Sequence, residues 1–188
     1  MNNLVIITFT AALLMTIAVS AADSSEKTVF VTSDTYYSNL GGLTGADEKC
    51  QMEADASVSI IPSGTYKAWL SDGTNSPDTR FTKSSHPYVL PDGTRIADDY
   101  KDLTDGDIQN IINIDSTGKT VGPNYFWSST DFDGTSEQYF VTCEGWTWTK
   151  TSPISHSMLG KTNQKSTLWT AFAREKCRKH YRLACFQQ

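Results

Sequence analysis

The sequence predicts an α+β domain, with two helices packed on a mainly antiparallel sheet, long loops and two disulfides. Three observations lead there. A glycine-dense turn, Gly41-Gly42-Leu43-Thr44-Gly45, runs straight into a helix that carries Cys50. Short β-branched and aromatic segments follow it, several of them cut off by Asp-Gly turn signals. Four cysteines, Cys50, Cys143, Cys177 and Cys185, form an even set without a Cys-x-x-Cys spacing, and the three histidines lie far apart, which suits disulfides better than a metal. Four cysteines allow three pairings, and spacing alone does not choose among them.

Taken in order, residues 4–19 are a 16-residue run without a charge, followed by Ser20-Ala21-Ala22 and then polar residues. The run is shorter than the roughly 20 apolar residues of a membrane span and contains three threonines, so residues 1–22 are expected to be a signal peptide, cleaved after Ala21 or Ala22. No cysteine near that point suggests a lipoprotein anchor. Residues 23–188 are then expected to form a single secreted, extracellular domain, long enough to bury a core and undivided by repeats or linkers.

Residues 28–32 (Thr-Val-Phe-Val-Thr) read as the first strand. Thr44 is placed to cap the first helix and Asp47 to complete a capping box, with Ala46, Cys50, Ala54 and Val58 on one small, apolar face suited to close packing on a sheet. Residues 64–71 alternate Tyr66, Ala68 and Leu70 against Lys67 and Trp69, as a strand does, and stop at Asp72-Gly73. Residues 88–96 read as a hairpin turning at Pro91-Asp92-Gly93. Residues 98–104 read as a short helix with Tyr100 and Leu103 inward and Gly106 beyond its end. Tyr125-Phe126-Trp127 precedes the turn Asp131-Phe132-Asp133-Gly134, and residues 138–143 are a strong strand candidate. Residues 149–166 read as a polar loop, and residues 181–186 as the last strand, with Cys177 on the segment leading into it.

Together these segments resemble one family, the endostatin-like domain at the C-terminus of certain basement-membrane collagens and of related secreted bacterial and invertebrate proteins. The resemblance lies in Gly45-Ala46-Asp47-x-x-Cys50, in Gly64-Thr65-Tyr66-Lys67-Ala68-Trp69-Leu70-Ser71, and in the helix end Leu103-Thr104-Asp105-Gly106. It continues through Trp127 with residues 128–134, Cys143-Glu144-Gly145-Trp146, and Cys177 with seven residues between it and Cys185. These motifs span nearly the whole of residues 23–188. The resemblance implies a C-type-lectin-like fold and a nested pairing, Cys50 with Cys185 and Cys143 with Cys177.

Function follows less directly. With 21 acidic and 16 basic side chains the net charge is −5, which disfavours uniform binding to nucleic acid or another polyanion, whereas endostatin's heparin binding rests on a basic face. One local exception is the run Arg174, Lys176, Arg178, Lys179, His180 and Arg182 around Cys177, dense enough to grip sulfate or sialate groups, although the same residues suit a solvated strand edge. Residues 23–40 contain no histidine, so the zinc site of endostatin is not expected. Calcium-dependent sugar binding is not expected either, because Gly122-Pro123-Asn124 and Trp146-Thr147-Trp148 lack the acidic ligands of lectin loops.

Asp131, Asp133 and Glu137 offer oxygen ligands for calcium, yet their spacing is too short for an EF-hand and reads first as an Asp-Gly turn. Asp98, Asp99, Asp102, Asp105 and Asp107 read as a solvated helix face, with divalent-cation or mineral contact as the other reading. Strand alternation would put Trp146 and Trp148 on one face, both in the core or both toward a ligand. No Gly-x-Ser-x-Gly, His-Glu-x-x-His or phosphate-binding glycine loop occurs, so no enzyme activity and no cofactor are expected. The expected function is a calcium-independent binding module for an extracellular glycan or matrix protein. Specificity would sit in loops 105–124 and 149–166; the alternative is an acidic matrix or mineral-associated protein.

Overall fold

One strand with apolar residues on both faces organises the molecule. In a computed structural model, which describes residues 25–137, 139, 142–149 and 155–188, β10 (Ala184–Gln187) lies between β1 (Lys27–Val31) and β3 (Tyr66–Ala68) and pairs antiparallel with both. The expected signal segment, residues 1–22, lies outside the described residues. Among those described, no helix is long and apolar enough to cross a membrane.

The five-stranded sheet runs β3-β10-β1-β4-β5, with β4 (Tyr88–Val89) parallel to β1 and β5 (Arg95–Ala97) closing the expected hairpin. Register places Phe30, Cys185 and Ala68 in one row across three strands. That row belongs to one buried cluster, together with Tyr66, Leu70, Trp127 and Trp146. The residues between them, Val29, Val31, Trp69, Ala184 and Phe186, belong to a second cluster with Phe81, Tyr88 and Trp169. Successive side chains of a strand point to opposite faces, so the sheet separates two cores.

The helix α1 (Gly42–Ala56) covers the first face, burying Ala46, Cys50 and Ala54 as expected. Cys50 is bonded to Cys185 on the central strand, and Cys143 to Cys177, the pairing that the resemblance implies. Two disulfides fit an oxidising compartment. β3 is an edge strand, and α1 satisfies it directly. Asp47 Oδ1 accepts from Ala68 N at 2.9 Å and Gln51 Oε1 from Tyr66 N at 2.9 Å, one helical turn apart.

That use of Asp47 corrects the expected capping box. The helix starts at Gly42, preceded by Gly41 in the left-handed region (φ 83°) and without a side-chain cap, and Thr44 sits within its first turn. The carboxylate is instead held by Ala68 N and by Arg80, 2.5 Å away. Val58 lies past the helix end at Ser57 and is exposed.

The helix α3 (Tyr100–Leu103) matches expectation, with Asp99 capping it by accepting from Asp102 N at 2.8 Å. Elements that were not anticipated include α2 (Pro77–Arg80), capped at Ser76, and β8 (Ala173–Lys176). β8 joins β6 (Tyr125–Trp127) and β7 (His156–Lys161) in a three-stranded sheet, so the expected loop 149–166 contains a central strand. Its buried positions include Ser157 and Gly160, which give no apolar alternation to read. Of the strand expected over 138–143, residues 138, 140 and 141 lie outside the described set. Cys143 opens α4 (Cys143–Trp146) rather than continuing a strand. The expected last strand divides into β9 (His180–Tyr181), paired with β2 (Tyr36–Tyr37), and β10. Among the described residues the result is a mixed α+β domain with four short or medium α-helices on sheets and two disulfides.

Two predictions follow from this packing. Cys50→Ala/Cys185→Ala should cost about 1 kcal/mol more in chemical denaturation than Cys143→Ala/Cys177→Ala, because the first pair closes a span of 135 residues and the second a span of 34. Burial pushes the Tyr66 and Tyr88 hydroxyls up to about 12. The folded state therefore holds their protons above the ordinary tyrosine value of about 10, and that contribution, complete below pH 10, is lost as pH rises from about 10 to 12. Phenolate absorbance and near-UV circular dichroism should change together in that window.

Candidate functional site

The expected binding residues all lie near the Cys143–Cys177 disulfide in the chain, and the structure sorts them into three fates. At the first cysteine, α4 is a left-handed turn, with φ of 49° at Cys143, 59° at Glu144, 65° at Gly145 and 65° at Trp146. Three of these are not glycine, and the left-handed conformation costs such residues about 1–2 kcal/mol each. Compensation is partly local and partly tertiary. Trp146 Nε1 donates to Ser71 O at 2.7 Å, Trp146 N to Thr142 O at 2.9 Å, and Leu40 N to Trp146 O at 2.9 Å.

Trp146 is therefore fully buried, and Trp148 is buried too. Of the two readings open to the pair, this overturns the ligand-facing one. Both are core, and they lie on or just after a turn where strand alternation does not apply.

Arg182 is also withdrawn from the expected site. Its Nη1 donates to Thr32 O and to Ser33 O, the latter at 2.7 Å, while its Nε is buried without a hydrogen-bond partner among the described residues. From the other side, Glu53 accepts from Ser33 N at 2.6 Å, Asp34 N at 3.2 Å, Tyr36 Oη at 3.0 Å and Ser116 Oγ. The segment 32–36 is thus clamped by a guanidinium on its carbonyls and a carboxylate on its amides. Burial, with Glu53 beside it, raises the Tyr36 hydroxyl well above its ordinary value.

The second cysteine carries the exposed cations. Cys177 N donates to Ser155 O at 3.1 Å, Ser38 Oγ donates to Cys177 O at 2.8 Å, and Lys179 N closes a turn on Lys176 O at 3.2 Å. Lys176, Arg178 and Lys179 are exposed on this anchored turn. Among the described residues, none of the three makes an ion pair. His180, next in sequence, packs against the half-exposed Tyr37, ring centroids 3.5 Å apart.

Arg174 has a third arrangement. Its guanidinium pairs with Glu137 Oε1 at 3.2 Å and lies 4.4 Å from the centre of the Tyr139 ring. Glu137 is buried, and its Oε2 accepts from Tyr139 N at 2.9 Å. One carboxylate therefore fixes both the cation and the backbone of the ring above it. Tyr37, Tyr139 and the organising role of Glu137 were not anticipated. The pattern Glu137-x-Tyr139 in sequence carries no sign of Arg174, which reaches it only through β8.

Glu137 is thereby spent, while Asp131 accepts from Phe132 N and Asp133 from Thr135, both within their own turn. Among the described residues no cluster of three or more His, Cys, Asp or Glu side chains is arranged to hold a metal. Asp98, Asp99, Asp102 and Asp105 accept local hydrogen bonds or pair with Arg95. His86 and His180 are exposed and His156 half-buried, and none of their rings is hydrogen-bonded to a hydroxyl or carboxylate among the described residues. In loop 105–124, Ile108, Ile112, Ile114 and Val121 are buried, so much of it is core rather than free surface. An open groove of about 400 Å³, lined by residues including Ile60, Pro62, Val89 and Pro91, lies at the start of β1. No protein-family model matches this chain, and no curated protein matches its sequence.

The clamp and the exposed turn separate in a simple experiment. Arg182→Ala, which strands two carbonyls, should lower unfolding free energy by about 2 kcal/mol, whereas Arg178→Ala should stay within about 0.5 kcal/mol of the parent. Urea denaturation of the two variants measures both.

Proposed function

We propose that this chain is a secreted, non-enzymatic binding module of endostatin-like, C-type-lectin-like type, which recognises anionic groups on an extracellular glycan or matrix protein without calcium. The observation that carries this reading is the exposed trio Lys176, Arg178 and Lys179, without ion pairs among the described residues, on a turn held by the Cys143–Cys177 disulfide. In a chain of net charge −5, these three cations have no carboxylate partner among the described residues, so no ion pair there competes with a partner's anions for them. They attract a partner's anions instead, and the anchored backbone reduces the ordering cost of gripping them. The family assignment rests on the order of the shared motifs and on the nested disulfide pairing.

The alternative of an acidic mineral-binding face is less favoured, because the carboxylates around α3 are engaged in capping and local hydrogen bonds.

The test is an array of sialylated, uronate-bearing, sulfated and neutral glycans and of matrix proteins, probed with the disulfide-intact protein. Binding should persist in chelator, weaken steeply with salt, and fall at least about tenfold in Arg178→Glu/Lys179→Glu. An array without hits, or binding abolished by the chelator, would overturn the reading.

A further inference from the structure

The cations alone would take any polyanion, but the Glu137–Arg174–Tyr139 arrangement is more selective. Tyr139 is 66 % exposed, a large aromatic surface to leave in water, and it is not loosely tethered there. Its backbone N is bound by Glu137, and its ring packs on the Arg174 guanidinium that the same carboxylate holds. The guanidinium packs on the ring, while two thirds of the residue stays in solvent.

The register of β7 and β8 adds a second element. Met158 is opposite Arg174 and His156 opposite Lys176, so these four side chains project from one side of the sheet. Arg174 and Lys176 are two residues apart on that side, about 7 Å along the strand. Lys176 makes no ion pair among the described residues. Arg174, which packs on the Tyr139 ring, and the Lys176 ammonium, without an ion pair among the described residues, thus share one side of the sheet.

We infer that Tyr139 and Lys176 form a subsite for an acidic pyranose, a sugar ring carrying a carboxylate. The inference rests on the binding function proposed above and names the ligand class that one end of the site takes. The apolar face of the ring stacks on Tyr139, and the carboxylate pairs with Lys176 beside it. Each component excludes a simpler ligand. A bare anion has no use for an exposed, pre-positioned aromatic ring. A neutral sugar has none for the ammonium. Arg174 and Glu137 act as positioning residues, because their charges neutralise each other beneath the platform.

The probe is 3′-sialyllactose, with lactose as the neutral control and polyaspartate as a polyanion without a ring, measured by calorimetry on the disulfide-intact protein. Sialyllactose should bind more tightly than lactose. Tyr139→Ala should weaken sialyllactose roughly three- to tenfold more than it weakens polyaspartate, and Tyr139→Phe should restore most of the loss. Lys176→Ala should weaken sialyllactose toward the lactose level. Equal effects of Tyr139→Ala on the two anionic probes, or none on either, would overturn the subsite while leaving the wider binding function standing. Failure of the unmodified protein to bind any anionic probe would overturn both.

Discussion

The row Phe30, Cys185 and Ala68 is the constraint on which the rest of the structure depends. Strand periodicity makes register an all-or-none choice. A slip of one residue on β10 would carry Cys185 to the face of Trp69 and Trp169 and drive Phe186 against α1. The disulfide to Cys50 permits only one of these arrangements, and the helix it tethers supplies hydrogen bonds to the backbone of β3. Covalent link, strand register and edge protection are therefore a single choice made at one residue. Everything packed on either face inherits it.

What was legible beforehand is what depends on neighbours in sequence. Alternation in residues 64–71 marked a strand, Tyr100 and Leu103 with Gly106 beyond them marked a short helix, and Pro91-Asp92-Gly93 marked a turn. Each device acts within a few residues, so the chain carries its full description. The misreadings share the opposite property. Asp47 has the spacing of a capping residue, yet its partners Ala68 and Arg80 are 21 and 33 positions away. β7 is central to its sheet while presenting Ser157 and Gly160 to the interior, where a hydroxyl finds Ser129 and a bare backbone admits the ring of Phe126. Neither of these marks a strand when read alone.

The candidate site teaches the same lesson in charge rather than pattern. Between residues 174 and 182 the sequence shows one basic run, but Arg174 is committed to Glu137, Arg182 to two backbone carbonyls, and only Lys176, Arg178 and Lys179 remain free of such commitments among the described residues. The tryptophans divide less evenly, since Trp146 and Trp148 are both interior. The exposed aromatics are tyrosines that no motif singled out. A count of cations or rings therefore overstates the usable surface, and only the partners decide how much of it is available.

The left-handed turn at Cys143 has a further meaning for how the molecule is assembled. Its unfavourable backbone is local, while contacts that offset it come from Ser71 and Leu40, far away in sequence. Such a turn depends on contacts supplied from elsewhere in the chain, and the indole it carries is received by the Ser71 carbonyl in the first core. The disulfide joins this turn to Cys177, so the surface beside Cys177 is coupled to that core, and a molecule with an incomplete interior would not display its cations in order.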